Sequence, residues 1–440
     1  MEKRILLVGN GAREHIIAQT LLNSSAYSVK LFVVGSAKNP GLTALATEYL
    51  LVDPTAREEI VSFAREQRID FAIMGPEAPI AAGVVDALRV VGIASASPTQ
   101  ASGQLESSKS FTRNLLDNYN IPGNPNHKTF TTEAGLADFF GELGEDYVVK
   151  ADGLKGGKGV KVSGDHLDSP AAGIAYAREC LKEAGKVVIE EKLIGQEFSL
   201  MSFCDGTTTV DMPVVQDHKR AYEDDTGPNT GGMGSYSDSD HSLPFLTPAD
   251  IEAASNITKQ VAVALAKEIG EPFVGIMYGG FIATKNGVKL IEYNARFGDP
   301  EVMNVLSLLE SDLVSIVEAM IAGTLTECAV TFARKATVCK YLVPNGYPDT
   351  PQKGESITIN PIPEGVQLYY GSIQQTADSL QLCGSRAIAV VATAETIAVA
   401  EQLAEEATAA VTGPIFHRSD IGTAELINAR VAHMNSLREK

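Results

Sequence analysis

The segment "IEYNARFGDPE", Ile291 to Glu301, crowds Glu292, Asn294, Arg296, Asp299 and Glu301 into a stretch that starts as a β-strand. A carboxylate and an amide two positions apart on a strand share a face. A half-buried carboxylate is costly without a partner, and a magnesium ion sharing phosphate oxygens and water would supply one. Arg296 then follows in a bend. Asp299, Pro300 and Glu301 read as the N-cap, first-position proline and first-turn acid of a helix. The preceding residues predict a hairpin turning at Asn286-Gly287. That register sets Gly279 and Phe281 opposite Asn294 and Glu292, with Val288, Leu290, Glu292 and Asn294 on one face and open space beside the amide at Gly279.

Three further segments carry chemistry. "VVKADGLKGGKGV", 148–160, puts four glycines and two lysines between apolar strands. No Ser or Thr follows a Gly-Lys pair and a strand follows the loop, so this is no Walker loop. A glycine hairpin instead covers phosphates as a lid, its backbone N–H groups coming close because no Cβ intervenes, with Lys150 at the strand end. "VVIEEKLIGQEFS", 187–199, runs an apolar strand into Glu190 and Glu191 and then Glu197; after a phosphate lid it reads as a nucleotide hinge, otherwise as a solvated edge. "QDHKRAYEDDTGPNTGGMGSY", 216–236, reads as a long polar loop whose Asp217, Lys219, Arg220, Asp224 and Asn229 could surround a small zwitterion or a phosphate. Near the N-terminus, "GNGAREH" offers Gly9, Gly11 and a helix start that favours an anion, with Arg13 as a bidentate phosphate contact. Glu14 replaces the third glycine of a dinucleotide fingerprint, which argues against NAD.

The elements that must hold these groups fall into four parts. Residues 1–102 alternate apolar runs ("RILLVG", "VKLFVVG", "FAIMG") with helical spacing, which predicts a doubly wound parallel sheet whose loops form a ligand crevice. Residues 127–187 read as a small α+β lid domain. Residues 103–126 and 188–325 read as a central domain holding the hairpin and two helices. Residues 326–440 read as a separate, small α/β domain. The fold class is thus α/β and α+β multidomain.

At 440 residues the chain exceeds a single core, and 44% apolar with 21% charged residues is the composition of a folded protein. A net charge of −19 opposes a nucleic-acid backbone partner. Five scattered cysteines without a CxxC pair suggest neither a disulfide framework nor a zinc site. No apolar run approaches a membrane span and the N-terminus is no signal peptide, so the expectation is a cytoplasmic protein with no membrane partner.

Taken in order, "GxREH", "GPEAP", "LESSKSF", "VVKADGL…GKGV", "VIEE", "QDHKR…GPNTGGMGSYS", "IEYNARFGDPE" and the late "SDIG" closely resemble the glycinamide ribonucleotide synthetase family of the ATP-grasp superfamily. The resemblance covers nearly the whole chain. It implies an N-terminal pre-ATP-grasp domain, central and lid ATP-grasp domains, and an ATP-dependent ligation of glycine to 5-phosphoribosylamine in purine biosynthesis. It implies ATP as co-substrate, Mg²⁺ or Mn²⁺ as metal, small-molecule partners only, and a monomer or weak homo-oligomer. By position, Lys109 and Lys150 would contact ATP phosphates and Gly156, Gly157, Lys158 and Gly159 would form the lid tip. Glu190 and the Leu193 backbone would read adenine, and Glu197 the ribose. Glu292 and Asn294 would be the metal pair. Arg296, Asp217 and Lys219 would serve catalysis, with Arg220 and Asn229 near the substrates. Gly9, Asn10, Gly11, Arg13, Glu14, His15 and Glu77 would hold the phosphoribosylamine. Asn10 and Ala12 depart from the family's first loop, as Lys155-Gly156 do from its lid.

Overall fold

The computed structural model describes residues 1–154 and 159–439. The first layer is a five-stranded parallel sheet, β1 (Glu2–Val8), β2 (Ser28–Gly35), β3 (Glu48–Leu51), β4 (Phe71–Met74) and β5 (Ala94–Ser95), in the order β3-β2-β1-β4-β5. Both faces are covered, which is why the strands read as unbroken apolar runs. Ile5 and Leu7 join the core under the helix Ala12–Leu22, while Leu6 and Val8 join the core against Ile60, Val84 and Leu88. The sequence revealed three of these strands; β3 and β5 are short and only partly buried.

The lid is an antiparallel sheet of β6 (His127–Phe130), β7 (Tyr147–Ala151), β8 (Val160–Val162) and β9 (Val187–Glu191), ordered β6-β9-β7-β8. Because β9 pairs with β6 and β7 along its length, the lid sheet runs to Glu191. The expected boundary at 187 therefore cuts a strand and is corrected.

The central sheet joins β10 (Gly195–Asp205), β11 (Thr209–Asp211), β16 (Val274–Thr284) and β17 (Gly287–Asn294) in the order β11-β10-β16-β17. Its buried face packs Phe198, Leu200, Phe281, Leu290 and Tyr293 into one core with the helix Pro248–Ile269. The segment 216–236 is not the long loop expected. It forms β12 (Gln216–Asp217), β13 (Arg220–Tyr222), β14 (Thr226–Asn229) and β15 (Gly234–Ser237). Two of these strands leave their neighbours in sequence: β12 and β15 extend the C-terminal sheet, pairing through β15 with β18 (Ala336–Pro344), which pairs in turn with Ile388–Ala394. The C-terminal domain is therefore not the separate 326–440 unit expected, because its sheet contains residues from the middle of the chain. No helix among the described residues is long and apolar enough to cross a membrane.

Candidate active site

The β16–β17 hairpin corrects the predicted register. The strands turn at Lys285-Asn286, with Thr284 opposite Gly287, and Gly287 adopts a φ of +96° that suits glycine. Phe281 then faces Leu290, Gly280 faces Glu292 and Tyr278 faces Asn294, with a β-bulge between. One extra residue flips the alternation of the strand. Leu290 and Tyr293 both point into the core, so Glu292 and Asn294 lie on the opposite face from Val288 and Leu290. The open position is at Gly280, where an added Cβ would sit 3.7 Å from Glu292 Cγ; at Gly279 it would meet the Phe281 ring at 2.2 Å. The bulge thus converts a core-facing strand into one that presents two oxygen donors to a cleft.

Glu292 is the anionic centre of that cleft. Burial opposes its ionisation, but Lys219, Lys150, Lys109 and Arg296 outweigh burial and hold its carboxyl below the ordinary value. Asn294 Oδ1 accepts from Arg296 at 3.2 Å. No group of three or more His, Cys, Asp or Glu side chains among the described residues could cage a metal. The donor set is one carboxylate and one amide oxygen facing four cations. It fits a hard divalent ion that takes its other ligands from phosphates and water.

Arg296 lies between two carboxylates, Glu106 at 3.1 Å and Glu77 at 3.5 Å. Burial works against its charge, and Glu106 followed by Glu77 overcomes it, raising its pKa. Glu106 also accepts from the Ala295 N–H at 2.7 Å, so it fixes the chain on both sides of the guanidinium. Glu106 lies inside "LESSKSF", where nothing in the local pattern marks it as a partner of Arg296. Glu77 brings the "GPEAP" loop of the first domain to the same arginine.

Lys219 Nζ pairs with Glu197 at 3.1 Å, and Glu197, against burial, raises its pKa well above the ordinary value with help from Asp217 and Glu292. Asp217 sits on β12, where pairing with Ser235 holds it beside this group. Burial, opposed by Lys219 and assisted by Glu301 and Glu197, brings its carboxyl up to about 7. Glu301 is itself buried and accepts from Tyr278 at 2.5 Å. Asp299 is not the helix cap expected: the helix begins at Glu301 with Pro300 as its cap. The Asp299 carboxylate instead accepts from Tyr341 at 2.7 Å and pairs with Arg386 at 3.0 Å, joining the segment to the C-terminal domain.

On the lid side, Lys109 Nζ donates to the Gly153 carbonyl at 3.1 Å, and the Gly159 carbonyl accepts from Ala151 at 2.8 Å to close the hairpin. Gly156, Gly157 and Lys158 lie outside the described residues. Lys150 pairs with Glu190 at 2.8 Å. Burial lowers the Lys150 pKa, with Glu190 opposing. The Glu190 carboxylate is occupied by Lys150 and Arg113; against burial these bring it down to about 2. That corrects the expectation that its side chain is free to read a base. Leu193 lies half-buried in the link from β9 to β10.

The first-domain loop is turned more inward than expected. The Gly11 N–H is taken by Glu14 Oε2 at 2.5 Å, and a Cβ on Gly75 or Gly9 would strike the Glu14 side chain at 2.0 or 2.7 Å. These glycines make room for Glu14. Arg13 is buried against Glu14 at 2.6 Å and the Phe297 carbonyl at 3.3 Å instead of reaching outward. His15 accepts through Nδ1 from the Tyr370 N–H at 2.9 Å and lies between the Tyr369 and Tyr370 rings. Burial lowers its pKa to about 4, so it is neutral at pH 7 where it meets the C-terminal domain. Arg220 reaches Asp165 of the lid at 3.1 Å, and Asn229 lies opposite it on β14. Between the first and C-terminal domains, Asn10, Gly11, Ser372, Ser385 and Arg386 line a cavity of about 150 Å³. Arg386 had no signal in the sequence.

The family models for phosphoribosylglycinamide synthetase match this chain in three consecutive blocks: the N domain over residues 3–106, the ATP-grasp (A) domain over 107–302 and the C domain over 337–424. The chain belongs to the phosphoribosylglycinamide synthetase family. It is 48% identical to the phosphoribosylamine–glycine ligase of Methanosarcina barkeri over 99% of this chain and 100% of the relative. It is 47% identical to that of Methanocaldococcus jannaschii over 99% of this chain and 100% of the relative. The crystal structure of phosphoribosylamine–glycine ligase from Thermotoga maritima superposes with a TM-score of 0.80 at 27% identity, covering 95% of this chain and 100% of that one. A 2-oxoglutarate carboxylase biotin carboxylase domain from Hydrogenobacter thermophilus, crystallised with MgADP and bicarbonate, has a TM-score of 0.72 at 15% identity, covering 98% and 94%, and shares the fold alone. Members of this family are ATP-dependent carboxylate–amine ligases that use a divalent metal, and the chain is an enzyme of that class.

Proposed function

We propose that this chain joins glycine to 5-phosphoribosylamine, forming glycinamide ribonucleotide, ADP and phosphate through a glycyl phosphate. The observation that carries the assignment to this cleft is the Glu292 carboxylate ringed by Lys219, Lys150, Lys109 and Arg296. Four cations acting on one half-buried carboxylate, three of them steadied by other carboxylates, suit a polyphosphate together with a divalent ion. Phosphoryl transfer depends mainly on such positioning and charge.

The roles follow from placement. Glu292 and Asn294 would hold the metal, Mg²⁺ or Mn²⁺, which would neutralise phosphate charge. Lys109 and Lys150 lie at the base of the lid hairpin and orient the transferred phosphoryl group. A carboxylate oxygen of glycine forms the new bond to the γ-phosphorus as the bond to ADP breaks. Arg296, kept charged by Glu106 and Glu77, faces the oxygens that gain charge. Asp217 offers a carboxylate to the glycine ammonium, and Lys219 keeps that side of the cleft from becoming wholly anionic. The phosphoribosylamine nitrogen then attacks the acyl carbon, phosphate leaves, and the nitrogen gives up a proton. The interdomain cavity beside Gly11 and Ser372 has room for a small group such as a phosphate monoester. The five scattered cysteines suit a reducing compartment, and the reading assigns the enzyme to the cytoplasm.

Release of ADP in the presence of glycine and freshly generated phosphoribosylamine tests the reading. ADP release that requires both supports it. Release driven by bicarbonate in place of glycine would reassign the acyl substrate while leaving the nucleotide site intact.

A further inference from the structure

Arg113, on the helix Lys109–Asn118, is 2% exposed, and no feature of the sequence singled it out. Its Nε donates to Glu190 Oε1 at 2.6 Å. One terminal nitrogen donates to Glu190 Oε2 at 3.0 Å and to the Ile291 carbonyl at 2.7 Å. The other donates to the Leu290 carbonyl at 3.0 Å and to Asn124 Oδ1 at 3.3 Å. A guanidinium has five N–H donors in one plane, and here each has an acceptor.

Those acceptors belong to different parts of the molecule. Glu190 is on the lid strand β9. Leu290 and Ile291 are on β17, at the bulge that turns Glu292 toward the cleft. Lys150, on lid strand β7, uses the same two groups: Nζ meets Glu190 Oε2 at 2.8 Å and the Ile291 carbonyl at 2.9 Å. Arg113 and Lys150 therefore share one carboxylate and one carbonyl. Lys150 also faces Glu292, so this one lysine links the shared carboxylate of the lid to the carboxylate that follows the bulge.

We infer that Arg113 is a positioning residue: it locks the lid strands to the β17 bulge and thereby fixes Lys150 and Glu292 relative to one another for nucleotide binding. The inference rests on the reading of this cleft as the ATP site. A lysine at this position has three donors on a flexible stem and cannot span Glu190 and both strand carbonyls in a plane. A pin that was only structural would weaken the whole fold and affect every substrate alike. A pin that sets Lys150 weakens the nucleotide selectively.

The test uses the full-length enzyme with ATP and magnesium in isothermal titration, together with steady-state kinetics. Arg113→Lys should weaken ATP binding about tenfold or more, the loss of charge-assisted hydrogen bonds, and leave the glycine KM within about twofold. A folded Arg113→Lys enzyme that binds ATP like the wild type overturns the inference, as do ATP and glycine KM values that rise together. Should that variant not fold, Glu190→Gln keeps the shape and removes the charge that Arg113 and Lys150 share. It should show the same selective loss, and unchanged ATP binding in it overturns the inference equally. Wild-type protein that binds no ATP would instead overturn the assignment of the site itself.

Discussion

Replacing Glu190 by Gln removes the charge between Arg113 and Lys150 while keeping the side chain's size. Burial disfavours ionisation of Glu190, yet the two cations bring its carboxyl from 4.5 to about 2. At 1.36 kcal/mol per pKa unit, that shift corresponds to roughly 3 kcal/mol of native-state stability. Breaking a buried ion pair by removing one partner costs about 3–5 kcal/mol, which agrees. The folded-state pKa is depressed, so the contribution is complete above 4.5 and is lost as pH falls toward about 2. The local readout is amide hydrogen exchange in the lid, where Val149 pairs with Ile189. At pH 7 the variant should exchange there roughly a hundredfold faster, since each 1.36 kcal/mol is a factor of ten. The gap in thermal midpoint between wild type and variant should shrink as pH drops from 5 toward 3, roughly tracking the carboxyl's titration. Lid exchange within about threefold of wild type, or a midpoint gap indifferent to pH, would refute the electrostatic account of this triad.

Three other outcomes follow from the site. Glu292→Gln should abolish measurable ADP release and weaken metal-dependent ATP binding at least tenfold, consistent with loss of a charged metal ligand; wild-type kinetics would remove Glu292 from the metal role. Arg296→Ala should lower kcat by about 10²–10³, the range for losing a donor to a developing oxyanion, with little change in ATP affinity, and the reverse split would move Arg296 to the nucleotide. Asp217 is raised to about 7, chiefly by burial, so it is neutral below that pH and ionised above. The glycine KM should rise about tenfold per pH unit below 7 and level off above it, and Asp217→Asn should abolish that dependence.

Much of this architecture is legible in the sequence because its physics is local. Continuous runs such as Ile5–Val8 announce strands buried on two faces, and the alternation of Glu292 and Asn294 announces a shared face. The bulge at Ile291 is hidden because it adds one residue without changing composition, yet it decides which face carries Glu292. Strands β12 and β15 are hidden because two to four residues become strand only through pairing of β15 with β18 and of β12 with β15. The supporting charges are hidden by distance along the chain. Arg113 and Glu190 are 77 residues apart, Glu106 and Ala295 are 189 apart, and Arg386 reaches the Asp299 carbonyl across 87. No window of sequence contains both members of such a pair.

The interleaving of β12 and β15 with the C-terminal sheet also governs how the chain can be divided and assembled. The last family block, residues 337–424, holds β18 but not β15, which pairs with it from Ser237↔Thr337 to Gly234↔Lys340. Cut out by itself, that block would carry an unprotected β18 edge, the kind of surface that recruits other strands and aggregates. During synthesis, residues 216–237 must wait for about a hundred more before their partner strand exists. The β15 strand that pairs with Asp217 is therefore itself secured only when β18 has been made, so a chain truncated before β18 would leave this side of the site without its support.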